Sequence, residues 1–274
     1  MREDLVEVFK DTRVVSNREF KAETDRLKNF DTIVYDGGLK FEGNADEVGE
    51  LPDIRLIRGG TVQVGYKYTH AKNRTAILNF ADAVKPGGWV EDGAPTQEEC
   101  ICRCTNLYET LTTEASHNGY YKVNLDFIKG QYYSVYTDRV LYARDVVIFK
   151  DDSTYEYVAP KLIDVITCPA PNTDLSGESA IQIYTRRMEQ ILLSAHKNGV
   201  KTLILGAWGC GAFGQDPYTI AKAFALVLNN YADLFEHIVF AIRPTVSTGN
   251  YRDDDTFNQF RLVLTKFYEG GVKE

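Results

Sequence analysis

Apolar residues recur at helical spacing through the first ~45 positions, in DLVEVFKDT and NREFKAETDRLKNF, within an otherwise polar stretch that YDGG interrupts. From Ile54 the texture changes. IRLIRGG, TVQVGYKY and TAILNFA are short β-rich segments separated by Gly, Asn and Lys, so a sheet is predicted to begin here. In TQEECICRCTNLYETLTTEA, Ile101, Leu107 and Leu111 with the cysteines between them form one helical face, and Thr96 is placed to cap it. DVVIFKDD and KLIDVITCPAPN read as buried strands ending in polar or proline-containing loops. SAIQIYTRRMEQILLSAHKNG reads as a helix stopped by Gly199.

The next unit, VKTLILGAWGCGAFGQDPYTIAKAFALVLNNY, is a strand, a glycine-rich turn and a helix with Asp216 as N-cap and Pro217 at its first position. HIVFAIRP is a further strand. DDDTFNQFRLVLTKFYEG closes the pattern as an amphipathic helix with Phe257, Phe260, Leu264 and Phe267 on one stripe. Strands alternating with helices, the strands nearly continuous in apolar residues, predict a three-layer α/β domain over residues 51–274, with residues 1–50 as a helical extension packed on it. Ligands in such sheets gather beyond the strand C-termini, where both glycine-rich loops lie.

Composition adds few constraints. The 274 residues, 44% hydrophobic and 26% charged, are ordinary for a globular chain. A net charge of -8 argues against non-specific duplex binding, so an anionic ligand would have to be held by local backbone donors. The start MREDLVEVFKDTRVV lacks a secretory apolar region and no run is long enough to span a membrane, so a cytoplasmic protein is expected. Five cysteines fit a reducing compartment better than a disulfide framework.

Two loops can carry chemistry. In LILGAWGCGAFGQDP, Gly206, Gly209, Gly211 and Gly214 suit close approach of backbone to a phosphate, or simply permit a sharp turn. No Gly-Lys-Ser/Thr follows and the dinucleotide spacing is absent. Phe213 is either a packing plug or a surface for a ligand ring. In NFADAVKPGGWVEDGAPTQEEC, PGGW is a second close-approach loop and Glu98 and Glu99 stand in the first helical turn, roughly 100° apart around the axis. Thr96-Gln97-Glu98-Glu99 also reads as a capping box, with Glu99 reaching back to the Thr96 backbone.

Of Cys100, Cys102 and Cys104 only the first and last share a helical face, and neither they nor Cys168 and Cys210 show zinc-knuckle spacing, so no metal is expected. None of the four histidines is placed by sequence to activate Cys210. The 17 tyrosines are expected mostly at the sheet edge with the hydroxyl in water, one or two of them reaching a ligand.

Taken together, LNFADAVKPGGWVEDGAPTQEECICRCTNLYETL, YTDRVLYARDVVIFKDD, VITCPAPN and LILGAWGCGAFGQDP resemble the bacterial-type poly(ADP-ribose) glycohydrolases, a branch of the macrodomain superfamily. The likeness runs from about Arg74 to the C-terminal helix, and the first residues look like the family's extension. It implies a macrodomain-like three-layer α-β-α fold with a mixed sheet. The family pattern is Gly-Gly-Gly, a spacer and Gln-Glu-Glu; Gly87, Gly88, Gln97, Glu98 and Glu99 match, and Trp89 stands where the third glycine is usual.

By that resemblance Glu99 is the catalytic acid, Glu98 holds ribose hydroxyls, Gly87 and Gly88 belong to the diphosphate and ribose cradle, and Gln97 and Trp89 are further ligand-binding positions. Gly209, Cys210, Gly211, Ala212 and Phe213 wrap the diphosphate, Phe213 packing on the distal ribose near Asn79. No metal or cofactor is implied, and the partner is ADP-ribose or an ADP-ribosylated protein or polymer. Cleavage at the anomeric carbon develops oxocarbenium character, so an acid must protonate the leaving oxygen and then activate water, a role that calls for a raised pKa at Glu99. A reader that binds ADP-ribose without cleaving it, and a hydrolase of a free ADP-ribosyl metabolite, use the same pocket. Trp89 can narrow the cleft, stack on a ligand or point away.

Overall fold

The computed structural model describes residues 2–42, 50–69, 73–129, 135–172, 177–243, 252–268 and 270–273. Two helices come first, α1 (Arg2–Arg18) and α2 (Lys21–Asn29). Phe9, Thr12, Val15 and Ser16 of α1 and Thr24 and Leu27 of α2 are buried, so each helix lays one stripe on the body of the domain. The segment TIVY, within the stretch read as helical, is instead a strand, β1 (Thr32–Tyr35), whose β-branched residues pair antiparallel with a central hairpin.

Then come β2 (Asp53–Arg58), α3 (Thr61–Tyr68), β3 (Arg74–Asn79), α4 (Gln97–Cys104) and α5 (Leu107–Leu111), followed by α6 (Glu114–Ser116), a π-helical turn at His117–Tyr121 and α7 (Lys122–Ile128). The hairpin β4 (Val140–Lys150) and β5 (Tyr157–Thr167) precedes α8 (Gly177–Lys197), β6 (Val200–Leu205), α9 (Pro217–Tyr231), β7 (His237–Ile242) and α10 (Arg252–Phe267). The strand order is β1-β4-β5-β3-β6-β7-β2. β4 runs antiparallel to both β1 and β5, whereas β5, β3, β6, β7 and β2 run parallel, so the sheet is mixed.

Alternate strand residues point to opposite layers. Leu78, Leu203, Leu205 and Phe240 pack with α8, α9 and α10. Ile77, Ile204 and Val239 pack on the other side with Phe9, Leu27, Val62, Val64, Ile101 and Leu107 of the earlier helices. The first two helices therefore share a core with α3, α4 and α5. A buried lysine reinforces this contact: Lys150 Nζ, at the end of β4, meets Asp11 at 2.6 Å, Thr12 Oγ1 at 2.9 Å and the Val8 carbonyl at 3.1 Å.

Two further elements depart from the pattern read in the sequence. TVQVGYKY is the helix α3 and not a strand. Its valines mimic a period of two, yet a carboxylate from outside the element, Asp152 Oδ2, accepts the Val62 N–H at 3.1 Å and so nucleates the helix. TQEECICRCTNLYETL is two helices and not one. Thr105 is extended and bridges to Ile148, while Asn106 accepts the Val147 N–H at 2.9 Å and donates to Thr24 Oγ1 at 3.0 Å. These side chains tie the break to β4 and α2. The Asp216 cap and the Gly199 stop are where the sequence puts them: Asp216 accepts the Tyr218 and Thr219 amides, and Gly199 has φ +75°.

Gly65 lets α3 lie close to the sheet, since a Cβ there would come 2.7 Å from Ile77 and 2.8 Å from Ile163. Gly65→Ala should destabilise the protein by about 1–3 kcal/mol through overpacking, against a gain of about 1 kcal/mol in helix propensity. Urea unfolding measures the difference.

Candidate active site

The parallel strands β2, β3, β5, β6 and β7 all end at one edge of the sheet, and the loops leaving them enclose a cavity of about 560 Å³. Gly59 and Gly60 follow β2, Phe80 to Asp82 follow β3, Ala170 follows β5, Ala207 and Gly209 to Phe213 follow β6, and Arg243 follows β7. The first turn of α4 supplies Gln97, Glu98 and Glu99 to the same wall.

The β3 loop is built around one carboxylate. Asp82 Oδ1 accepts the Val84 and Lys85 amides, each at 2.8 Å, and makes the turn that leads to PGGW. Asp82 N–H in turn donates to Glu98 Oε2 at 2.6 Å, and Asn79 Nδ2 donates to Glu98 Oε1 at 3.2 Å. Glu99 points to the other side of the turn. Its Oε1 accepts the Trp89 N–H at 3.0 Å and its Oε2 accepts the Thr96 hydroxyl.

Gly88 lies between the two carboxylates, with φ +58°. A Cβ there would stand 2.4 Å from Glu99 Oε1 and 3.2 Å from Glu98 Oε2, so glycine is required by both conformation and space. The side chains diverge from the helix as adjacent residues must, and the turn over them brings their oxygens to one point. Both glutamates are only 4% exposed. Burial lifts the Glu98 carboxyl to about 8, against the Asp82 and Asn79 hydrogen bonds and with the help of the Glu99 and Asp82 charges. Burial therefore favours the protonated form of Glu98.

Several expected ligand residues are placed differently. Asn79 is fully buried behind Glu98, also donating to Thr167 Oγ1 at 3.2 Å, and is not part of the cavity wall. Gly87 is likewise off the wall; a Cβ there would meet the Tyr108 ring at 2.6 Å. The Gln97 amide is engaged by protein: Oε1 accepts the Phe80 N–H at 2.9 Å, and Nε2 donates to the Leu78 carbonyl at 2.7 Å and to Thr61 Oγ1 at 3.1 Å. It pins the end of β3 to α4. The capping box does not form, because Thr96 caps no amide and gives its hydroxyl to Glu99.

In the β6 loop Gly209 has φ +84°, and Phe213 is half-buried on the cavity wall. The amides of Gly211, Ala212 and Phe213 donate to no acceptor among the described residues, whereas those of Tyr218 and Thr219 at the start of α9 are taken by Asp216. Free donors lie in the loop itself. Trp208 of the same loop is buried structure, its indole N–H donating to the Cys168 carbonyl at 2.9 Å. Trp89 is the opposite case: it is 57% exposed at the cavity rim, with Lys85 Nζ 3.4 Å from its ring centroid.

Asp152 and Arg243 carry no signal in the sequence pattern, although each stands just after a buried strand. Asp152 is 3% exposed; Oδ2 meets Arg243 Nη2 at 3.1 Å and caps α3, while Oδ1 is buried with no partner. Burial raises its pKa, with the Arg243 charge opposing. A Cβ at Gly60 would fall 2.1 Å from Asp152 Oδ2, so that glycine makes room for the carboxylate. Cys100, on the cavity wall, is lowered to about 7 by a hydrogen bond with Cys104 and by the Arg243 charge, against burial. No cluster of His, Cys, Asp and Glu arranged to hold a metal occurs among the described residues. Nor does any tyrosine line the cavity there; Tyr120, Tyr121, Tyr142 and Tyr184 are fully buried instead of at a wet sheet edge.

Solved structures similar to this chain include poly(ADP-ribose) glycohydrolases. The enzyme from Thermomonospora curvata is 27% identical with a TM-score of 0.80, over 94% of this chain and 100% of that one. The same enzyme bound to the inhibitor ADP-HPD is 26% identical with a TM-score of 0.78, over 94% and 98%. The Deinococcus radiodurans enzyme in complex with ADP-ribose is 26% identical with a TM-score of 0.74, over 89% and 97%. A comparison with curated protein sequences gives no match. The fold thus goes with the glycosidase class. Residues 2–151, more than half of the chain, match the microbial-type PARG catalytic domain, and the chain belongs to that family of poly(ADP-ribose) glycohydrolases. No helix among the described residues is long and apolar enough to cross a membrane.

A carboxyl that binds its proton more tightly in the folded than in the unfolded chain contributes stability that is complete below its unfolded pKa, near 4.5, and is lost as pH rises through about 8. The melting temperature of the wild type should therefore fall relative to Glu98→Gln between pH 5 and pH 8, with the gap between the two curves level above that range. Scanning calorimetry of both proteins in steps of pH checks the sign.

Proposed function

We propose that the chain hydrolyses the bond between the anomeric carbon of a terminal ADP-ribose and the oxygen or nitrogen it is attached to, with Glu99 as acid and then base. The observation that carries this reading is the pair of buried carboxylates meeting at Gly88 on the wall of a cavity large enough for a nucleotide sugar. In its protonated form Glu99 gives its proton to the leaving atom as the bond lengthens, and positive charge gathers at the anomeric carbon. Water then adds there while returning a proton to Glu99. The Trp89 amide and the Thr96 hydroxyl keep the Glu99 carboxylate aimed through both steps.

A Glu98 that stays neutral to about 8 can both donate to and accept from vicinal ribose hydroxyls. Asn79 acts on the ribose through Glu98, whose orientation it sets. Gly88 supplies the close backbone approach. The unused amides of Gly211, Ala212 and Phe213 form the diphosphate cradle, with Gly209 and Cys210 shaping the turn and the Phe213 ring against the ribose. At the far end the orphan Asp152 Oδ1 asks for an amine donor, which the exocyclic amine of adenine provides.

Glu99→Gln should cut release of ADP-ribose from poly(ADP-ribose) at least about 100-fold while ADP-ribose still binds with similar affinity by calorimetry. Absence of release by the wild type from poly(ADP-ribose), ADP-ribosyl-glutamate and ADP-ribosyl-arginine, with ADP-ribose bound, would sink the hydrolase reading. For the base, the wild type should bind ADP-ribose about tenfold more tightly than its hypoxanthine counterpart, and Asp152→Asn should narrow that ratio. Equal ratios in the two proteins would remove Asp152 from base recognition.

A further inference from the structure

We infer that Lys85 and Trp89 form a subsite at the rim of the cavity for the leaving side of a poly(ADP-ribose) chain, and so set how strongly this chain favours polymer over single protein-linked ADP-ribose units. This rests on the hydrolase reading of the cavity. The two tryptophans of this chain are used in opposite ways: Trp208 is fully buried with its N–H bonded, whereas Trp89 leaves 57% of its surface in water. Packing does not account for the exposed indole.

Its position is nevertheless rigid. Trp89 N–H donates to Glu99 Oε1 at 3.0 Å, and its carbonyl accepts the Asp92 and Ala94 amides, each at 3.1 Å. The Asp82 turn fixes Lys85, whose carbonyl accepts the Gly88 N–H at 3.0 Å. The Trp89 backbone is thus joined through one amide to the carboxylate proposed to serve the scissile bond, which sets the indole at the rim on the side where Glu99 would meet the leaving atom.

The chemistry of the pair selects the occupant. Lys85 Nζ sits 3.4 Å from the ring centroid and 3.4 Å from Asp92 Oδ2, an ammonium at the rim of a chain whose net charge is -8. An aromatic face beside a cation fits a purine followed by phosphate. In poly(ADP-ribose) the leaving oxygen is a hydroxyl on the ribose that carries adenine in the next unit, and that unit's diphosphate follows. The bond between this oxygen and the anomeric carbon breaks, the oxygen leaves with the proton from Glu99, and water supplies the new hydroxyl on the released ADP-ribose. A glutamate or arginine side chain as leaving group offers neither base nor phosphate.

The test is the ratio of kcat/KM on poly(ADP-ribose) to kcat/KM on a mono-ADP-ribosylated peptide. Trp89→Gly should lower the ratio about tenfold, mainly through KM for the chain, and Trp89→Phe should restore most of it. Lys85→Met should lower it less and weaken its dependence on salt. Binding of a short chain and of free ADP-ribose to Glu99→Gln, with and without Trp89→Gly, reads the subsite independently of turnover. If the wild type releases ADP-ribose from neither substrate, the hydrolase reading fails and the binding comparison still decides the subsite. Cleavage of both substrates with an unchanged ratio in Trp89→Gly, or equal loss of chain and monomer binding, overturns the proposal.

Discussion

The contact on which the site depends is between backbone and carboxylate at Gly88. A parallel sheet delivers its loops to one edge, but two acidic side chains will not stay side by side and dry without donors on each. Here the Asp82 and Trp89 amides, on either side of Gly88, each donate to one of the glutamates. A single turn thereby holds both acids, and its glycine is the residue that leaves room for their oxygens. Asn79 and Gln97 stand behind this contact, one orienting Glu98 and the other joining α4 to the end of β3.

Electrostatics follows from that burial. Desolvation outweighs two hydrogen bonds and the positive end of α4 at Glu98, so the pair need not carry two negative charges at neutral pH. The same reasoning applies at the opposite end, where Asp152 is held by Arg243 and by the amides of α3 but keeps one oxygen unmatched. A chain with a net charge of -8 still offers unused backbone donors in one loop, and these do not enter the formal charge.

The layer architecture was legible because strands such as VKTLIL and HIVFAI are apolar throughout and alternate with amphipathic helices. The glutamates, the glycine loops and the Asp216 cap were legible because those residue types have short-range geometric meanings. α3 was not, because the group that starts it, Asp152, is 90 residues away from the amide it caps. Asp152 and Arg243 escaped for the same reason: each reads locally as a charged residue after a strand, and only the sheet order brings them together. Asn79 and Gly87 were expected on the ligand and do not line the cavity. Sequence adjacency to a loop does not say which side of the loop faces the cavity.

The Thr96-Gln97-Glu98-Glu99 segment shows how chemistry displaces local structure. A threonine followed at three residues by a glutamate would ordinarily exchange side-chain and backbone bonds and close the helix end. In this chain both partners are turned away from capping. The Thr96 hydroxyl goes to the Glu99 carboxylate, and the other Glu99 oxygen goes to an amide in the PGGW turn. α4 starts without a side-chain cap, a loss of about 1 kcal/mol in an ordinary helix. The break at Thr105 and the anchoring of Asn106 on β4 compensate by holding the far end of α4 through tertiary bonds. A short helix fixed from its ends can therefore present Glu98 and Glu99 in an orientation that its own capping preferences would not select.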